Sequence, residues 1–268
     1  MYKIILFLLF GAAVNAQTFV TDSTKTFHAV AATDSVFTKK PSAVLDTVAP
    51  YKFHYKQLII PGVLLAYGFI GLESDWLKGF NSDIQQEVTE DIDQKITIDD
   101  FSQYAPAVTV FALNAIGIKG KNSLRDESII MASSYVMMSA TVLSLKSITH
   151  VERPDGSSNN SFPSGHTATA FAGAEFLWQE YKDKSIWYGI AGYAVATGTG
   201  IFRIVNNRHW LTDVAAGAGI GILSTKVAYW MYPWMKNKLF PSENKKVSSL
   251  ITPFYNGKQI GCAAVVQF

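Results

Sequence analysis

Cysteine is nearly missing from this chain, Cys262 being the only one in 268 residues. An internal disulfide is therefore excluded, and a thiolate metal site or cysteine nucleophile has little to build on. Set in an apolar stretch near the end, Cys262 reads as a small buried hydrophobe. Charge is sparse too, at 16% of residues against 49% hydrophobic, and the mean hydropathy is +0.14. That is more apolar than an ordinary soluble domain. A net charge of +2 leaves no basic field that would mark a nucleic-acid partner. Arginine is the rarest charged residue, present only as Arg125, Arg153, Arg203 and Arg208. Long apolar runs are also short in supply. A membrane-crossing helix takes about 20 apolar residues, and most of the runs here stop short of that.

The runs that are present lie at residues 58–72, 105–118, 129–145, 167–178, 186–205 and 214–230. Their lengths predict an all-α bundle of about six core helices. Before them, Lys3, an apolar run at 4–13 and Val14-Asn15-Ala16 resemble an export signal cut after Ala16. Residues 17–57, rich in Thr, Ser, Ala, Lys and Asp, read as a polar linker ahead of a domain at 58–236. Within the acidic stretch 83–100, Ile84, Val88 and Ile92 recur every four residues, as on an amphipathic surface helix. Asp99 and Asp100 stand where they could cap the helix that follows. At the other end, Asn256-Gly257 between two alternating segments predicts a β-hairpin over 247–268. Tyr229, Trp230, Tyr232 and Trp234 followed by Lys236 and Lys238 suit a membrane interface. The same aromatics also suit the core of a soluble helical protein.

Three clusters concentrate the chemistry. Lys146, near the end of an apolar helix, precedes Arg153-Pro154, where the proline keeps Arg153 out of helical conformation. Two cations converging there suit an oxyanion, although solvated surface cations would look the same. Next comes Ser161-Phe162-Pro163-Ser164-Gly165-His166 before a helical run. Its backbone N–H groups and the Ser164 hydroxyl suit a phosphate at a helix N-terminus, or Ser164 is a plain N-cap. Last, Arg203 is followed by His209 and Asp213. His209 and Asp213 are neighbours on one helical face, so the carboxylate can fix the imidazole tautomer. A structural His–Asp pair fits the same spacing. A metal pair fits less well, because no further ligands stand nearby.

Together, Lys-x6-Arg-Pro, Pro-Ser-Gly-His and Arg-x5-His-x3-Asp resemble, in order and spacing, the signature of the type 2 phosphatidic acid phosphatase and vanadium haloperoxidase superfamily. The resemblance covers about residues 58–233. It departs from the usual pattern at Phe202, where the superfamily commonly has Ser, and in the short gap between Pro154 and Pro163, which suggests a compact bacterial form. The resemblance implies that His209 attacks phosphorus and forms a phosphohistidine, oriented by Asp213, while His166 protonates the leaving oxygen. It further implies that Lys146, Arg153, Arg203, Ser164 and Gly165 hold the phosphate, with no metal or other cofactor.

The expected function is an exported phosphatase, acting on phosphate monoesters or diphosphates, most naturally of lipids at the periplasmic side of a membrane. A soluble periplasmic acid phosphatase of broad specificity is the alternative, and a non-catalytic exported binding protein is a further one. A haloperoxidase is disfavoured by the short length of the chain. Neither the substrate's head group nor the oligomeric state is legible.

Overall fold

The computed structural model describes residues 54–90, 97–239, 248–255 and 260–267. The export-signal and linker assignments lie almost wholly outside these residues, except that Tyr55–Leu58 forms a 3-10 turn leading into the first helix. Eight helices follow among the described residues: α1 (Ile59–Glu73), α2 (Asp75–Glu90), α3 (Asp99–Ser102), α4 (Ala105–Ala115), α5 (Leu124–Thr149), α6 (Gly165–Tyr181), α7 (Ile186–Val205) and α8 (Leu211–Leu239). Six of them, α1 and α4 to α8, correspond to the six apolar runs. The strands β1 (Ser248–Tyr255) and β2 (Ile260–Gln267) pair antiparallel. The turn expected at Asn256-Gly257 lies outside the described residues.

Helices α5, α6 and α8 outrun the apolar runs that announced them, whereas α4 stops three residues short of its run. α5 extends to 26 residues because Ser123 caps it, accepting from the Asp126 N–H at 3.3 Å, and a polar first turn precedes the apolar body. α8 continues through Pro233 to 29 residues. Among the described residues, two segments, Tyr55–Glu73 and Leu124–Thr149, are long and apolar enough to cross a membrane. Their apolar side chains face outward in numbers, with Ile59, Ile60, Val63, Ile70, Val136, Leu143 and Ile148 all exposed.

α6 is the central element, packed between α7 and α8, with α4 and α5 beside it. The α6–α8 contact is close because α8 presents glycine where backbone meets backbone. A Cβ on Gly217 would lie 2.4 Å from the Ser164 carbonyl oxygen, and one on Gly221 would lie 2.3 Å from that of Ala168. This is the close packing that small-residue helices permit. Further along, Val110, Ile130, Phe176, Tyr181, Tyr229 and Tyr232 form the main buried cluster. The arrangement brings the C-terminal end of α5 and the N-terminal ends of α6 and α8 together at one end of the bundle.

Candidate active site

That end of the bundle gathers all three sequence clusters. α7 stops at Val205, and the chain turns sharply through Asn207, whose φ is +56°. Asn tolerates this left-handed conformation better than most residues. The Arg203 carbonyl accepts from the backbone N–H groups of Arg208 and His209 at 3.0 and 3.3 Å, which locks the turn. His209 therefore sits just before α8, with its side chain 2% exposed.

Asp213 lies in the first turn of α8, equally buried. Its Oδ2 accepts from the backbone N–H of Trp210 at 3.0 Å, in the manner of a capping box, and from Ser161 Oγ at 2.5 Å. Nδ1 of His209 is 3.5 Å from the same oxygen and 3.4 Å from Ser161 Oγ. The Ser161 hydroxyl, the Asp213 carboxylate and His209 Nδ1 thus form one closed group, which leaves Nε2 as the ring nitrogen for chemistry. Burial pushes the His209 pKa down to about 4, opposed by Asp213 and reinforced by the charges of Lys146 and Arg203. A neutral imidazole is the form that can attack.

The cations surround this group. Lys146, in the last turn of α5, donates to the carbonyl oxygens of Asn160 and, at 3.2 Å, of Ser161. Arg153 Nε donates to Asn160 Oδ1 at 3.0 Å. Asn160 therefore ties both cations to the loop that carries Ser161. Lys146, Arg153 and Arg203 all act electrostatically on one another or on Asp213. Burial, and then the neighbouring Arg203 and Arg208 guanidinia, push the Arg153 pKa below its ordinary value. A cluster of cations of this kind favours a bound oxyanion. Arg208 itself pairs with Asp155 at 3.0 Å and holds the outer part of the loop.

Arg203 is buried, and its Nη1 lies 2.5 Å from Asp99 Oδ2, while its Nε is buried without a hydrogen-bond partner in the structure. A buried donor left over on a guanidinium is what an incoming oxyanion would satisfy. Ser164 is the N-cap of α6, its hydroxyl engaged with the N–H and Oγ1 of Thr167. Its side chain thus performs the plain capping role. Gly165 and His166 bring the first backbone N–H groups of α6, which have no acceptor within the helix.

Asp99 and Asp100 do not cap the following helix as the sequence suggested, since α4 starts from Tyr104 with no side-chain cap. Their carboxylates turn into the site instead. Asp99 pairs with Arg203, and Asp100 Oδ1 accepts from His166 Nε2 at 3.0 Å. Asp99, Asp100 and His166 also offer three ligand atoms within 4.8 Å of one another. Arg203 already supplies a positive charge to this trio, which works against a second cation there. Sequence reasoning passed over Asp99, Asp100, Ser161 and Asn160 as site residues. Only Ser161 had a signal, its place at the head of the second motif.

α2 closes the outside of the site. Asn81 Nδ2 donates to Thr212 Oγ1 at 2.9 Å, and Gln85 Nε2 donates to Asn207 Oδ1 at 2.9 Å. Beside the Asn81–Thr212 bond opens a cleft of about 400 Å³ lined by Lys78, Asn81, Trp210, Thr212 and Asp213.

Part of the chain is similar to known proteins. The chain is 44% identical over 135 residues to a lipid A 1-phosphatase of Porphyromonas gingivalis, a match covering 50% of this chain and 30% of the relative. It is 33% identical over 100 residues to the bacitracin transport permease protein BcrC of Bacillus licheniformis, covering 32% of this chain and 47% of that one. Both matches span less than half of the relative's own length. Among solved structures, a transmembrane PAP2-type phosphatidylglycerolphosphate phosphatase from Bacillus subtilis aligns over 71% of this chain and 100% of its own. The TM-score there is 0.48 and the identity 18%. LpxE from Aquifex aeolicus aligns over 56% of this chain and 94% of its own, with a TM-score of 0.43 and 22% identity. The profile of the PAP2 superfamily matches residues 142–237, the segment that holds Lys146, Arg153, the Pro-Ser-Gly-His run, Arg203, His209 and Asp213.

Proposed function

We propose that the protein is a phosphatase that hydrolyses phosphate monoesters or diphosphates of lipids through a phosphohistidine on His209, without a metal ion. The observation that carries this reading is the buried His209–Asp213–Ser161 group beneath the cations Lys146, Arg153 and Arg203. His209 Nε2 attacks phosphorus in line with the leaving oxygen, and Asp213 stabilises the positive charge that develops on the imidazole. The three cations and the N–H groups at the start of α6 take up the charge on the equatorial oxygens. His166 protonates the leaving oxygen and then draws a proton from the water that releases phosphate.

The lipid part of the proposal rests on the two membrane-length apolar helices and on the relative named for lipid A. Residues 58–236 would form the catalytic domain, exported and seated in the membrane with its site on the periplasmic side. Phosphate release should be compared across lipid A, phosphatidic acid, a lipid diphosphate and p-nitrophenyl phosphate, with and without chelator. Turnover of the lipid substrates at undiminished rate in chelator is expected. A requirement for added zinc or magnesium would remove the metal-free mechanism. Preference for soluble esters, with extraction free of detergent, would replace the lipid enzyme with a soluble acid phosphatase.

A further inference from the structure

The acidic stretch before α3 ends in two adjacent carboxylates whose situations differ. Asp99 is 1% exposed and fixed from two sides, to Arg203 Nη1 at 2.5 Å and from Asn206 Nδ2 at 3.2 Å. Asp100 is on the open side, its side chain 56% exposed, and it meets His166 Nε2 at 3.0 Å. α3 is a single turn, and it is pinned again by the Ser102 Oγ to Thr199 Oγ1 hydrogen bond at 2.8 Å. With Asp99 and Ser102 both anchored to α7, Asp100 has little freedom except to stand over His166. In addition, Gln103 Nε2 donates to the Asp100 carbonyl at 2.9 Å, which stiffens the turn.

We propose that Asp100 is the positioning residue of the acid–base histidine, serving His166 as Asp213 serves His209. This rests on the phosphatase reading above and extends it to a residue outside the three motifs. The hydrogen bond to Asp100 commits Nε2 and leaves Nδ1 to carry the exchanged proton. In the first half-reaction the His209 Nε2–P bond forms as the bond from phosphorus to the leaving oxygen breaks. That bond's electron pair goes to the oxygen, which takes the Nδ1 proton of His166. In the second half, water gives a proton to His166 Nδ1 as its oxygen bonds to phosphorus, and the P–N electron pair returns to His209. His166 must therefore be protonated at the start of one half and neutral at the start of the other. Burial and the Arg203 guanidinium disfavour its imidazolium, while the hydrogen bond to Asp100 and the charges of Asp99 and Asp100 favour it. Asp100 supplies the counterweight that makes both forms accessible.

The leaving group distinguishes this role from a structural one. Nitrophenolate departs without a proton, whereas the alkoxide of a glycerol-based lipid phosphate needs one. Asp100→Asn should therefore lower kcat on phosphatidic acid about 10²-fold and lower it far less on p-nitrophenyl phosphate. The alkaline limb of the phosphatidic acid profile should move to lower pH, and Asp100→Glu should recover part of both losses. In a His166→Ala background Asp100→Asn should add nothing, because its effect passes through that ring. Equal losses on the two esters, an unmoved alkaline limb, or an additive loss in the His166→Ala background would each overturn the role of Asp100 while leaving the phosphatase reading intact. Absence of phosphate release by the unaltered protein from either ester would instead remove the phosphatase reading, and this inference with it.

Discussion

The chemistry proposed for His209 rests on where its ring lies. At 2% side-chain exposure, with Asp213 and Ser161 on Nδ1, it is held in one orientation and kept neutral down to a pH of about 4. Replacing it with alanine should abolish turnover. Asp213→Asn keeps the shape but loses the charge that fixes the tautomer. It should lower kcat by roughly 10³–10⁴-fold with KM little changed. Ser161→Ala should cost less, because it removes one of two hydrogen bonds to the Asp213 oxygen and leaves the Trp210 N–H in place. Steady-state kinetics on one lipid phosphate rank the three variants. A Ser161→Ala enzyme as damaged as Asp213→Asn would show that the serine does more than hold the carboxylate.

At the scale of helices, the site depends on how closely α6 and α8 approach. Gly217 faces the Ser164 carbonyl, where no side chain fits. Gly217→Val should destabilise the protein by about 1–3 kcal/mol and lower the thermal midpoint. Gly198, on α7, has open space around its Cβ position. Gly198→Ala should be neutral or stabilising by up to about 1 kcal/mol, so the pair separates contact from helix propensity. The short α3 matters through Asp99. Removing its carboxylate leaves the Arg203 charge buried with its main partner gone, and Asp99→Ala should lose about 3–5 kcal/mol in a thermal or denaturant melt. Helix identity was readable in the chain: the apolar run at 186–205 predicts a helix, and α7 has those ends. Ends were harder where a polar turn belongs to an apolar helix, as in α5, whose start is set by the Ser123 cap rather than by the first apolar residue. Ile92, expected on the surface helix, lies outside the described residues, while α2 carries Ile84 and Val88.

For the whole molecule, the buried His209 links stability to pH. Its folded pKa of about 4 lies below the ordinary value of 6.5, so unfolding in that interval takes up a proton. The contribution is therefore fully present above pH 6.5 and is lost as pH falls toward 4, on the order of 3 kcal/mol in all. A thermal midpoint that drops between pH 6.5 and 4 should flatten in His209→Gln. An unchanged slope in that variant would assign the acid sensitivity to other groups. The same scale bears on the membrane question, since most apolar runs fell short of a span whereas, among the described residues, the folded helices α1, with the turn before it, and α5 are long and apolar enough to cross a membrane. Extraction that requires detergent is the expected behaviour.

Local sequence determined a good deal: the apolar runs of six helices, the nearness of His209 and Asp213 (although His209 precedes α8 and so does not share a helical face with Asp213), the cap at Ser164, and three motifs in an order that points to phosphate. Each of these is a relation among residues close in the chain, and backbone geometry alone carries it. What tertiary structure decided is which distant groups meet. Asp99 pairs with Arg203 across 104 positions, Asp100 with His166 across 66, and Ser161 with Asp213 across 52. No period or spacing encodes such pairs. They arise because α3, α6, α7 and α8 pack with one end in common, and a carboxylate that reads as a helix cap in the sequence becomes, in the fold, the counter-charge of the site.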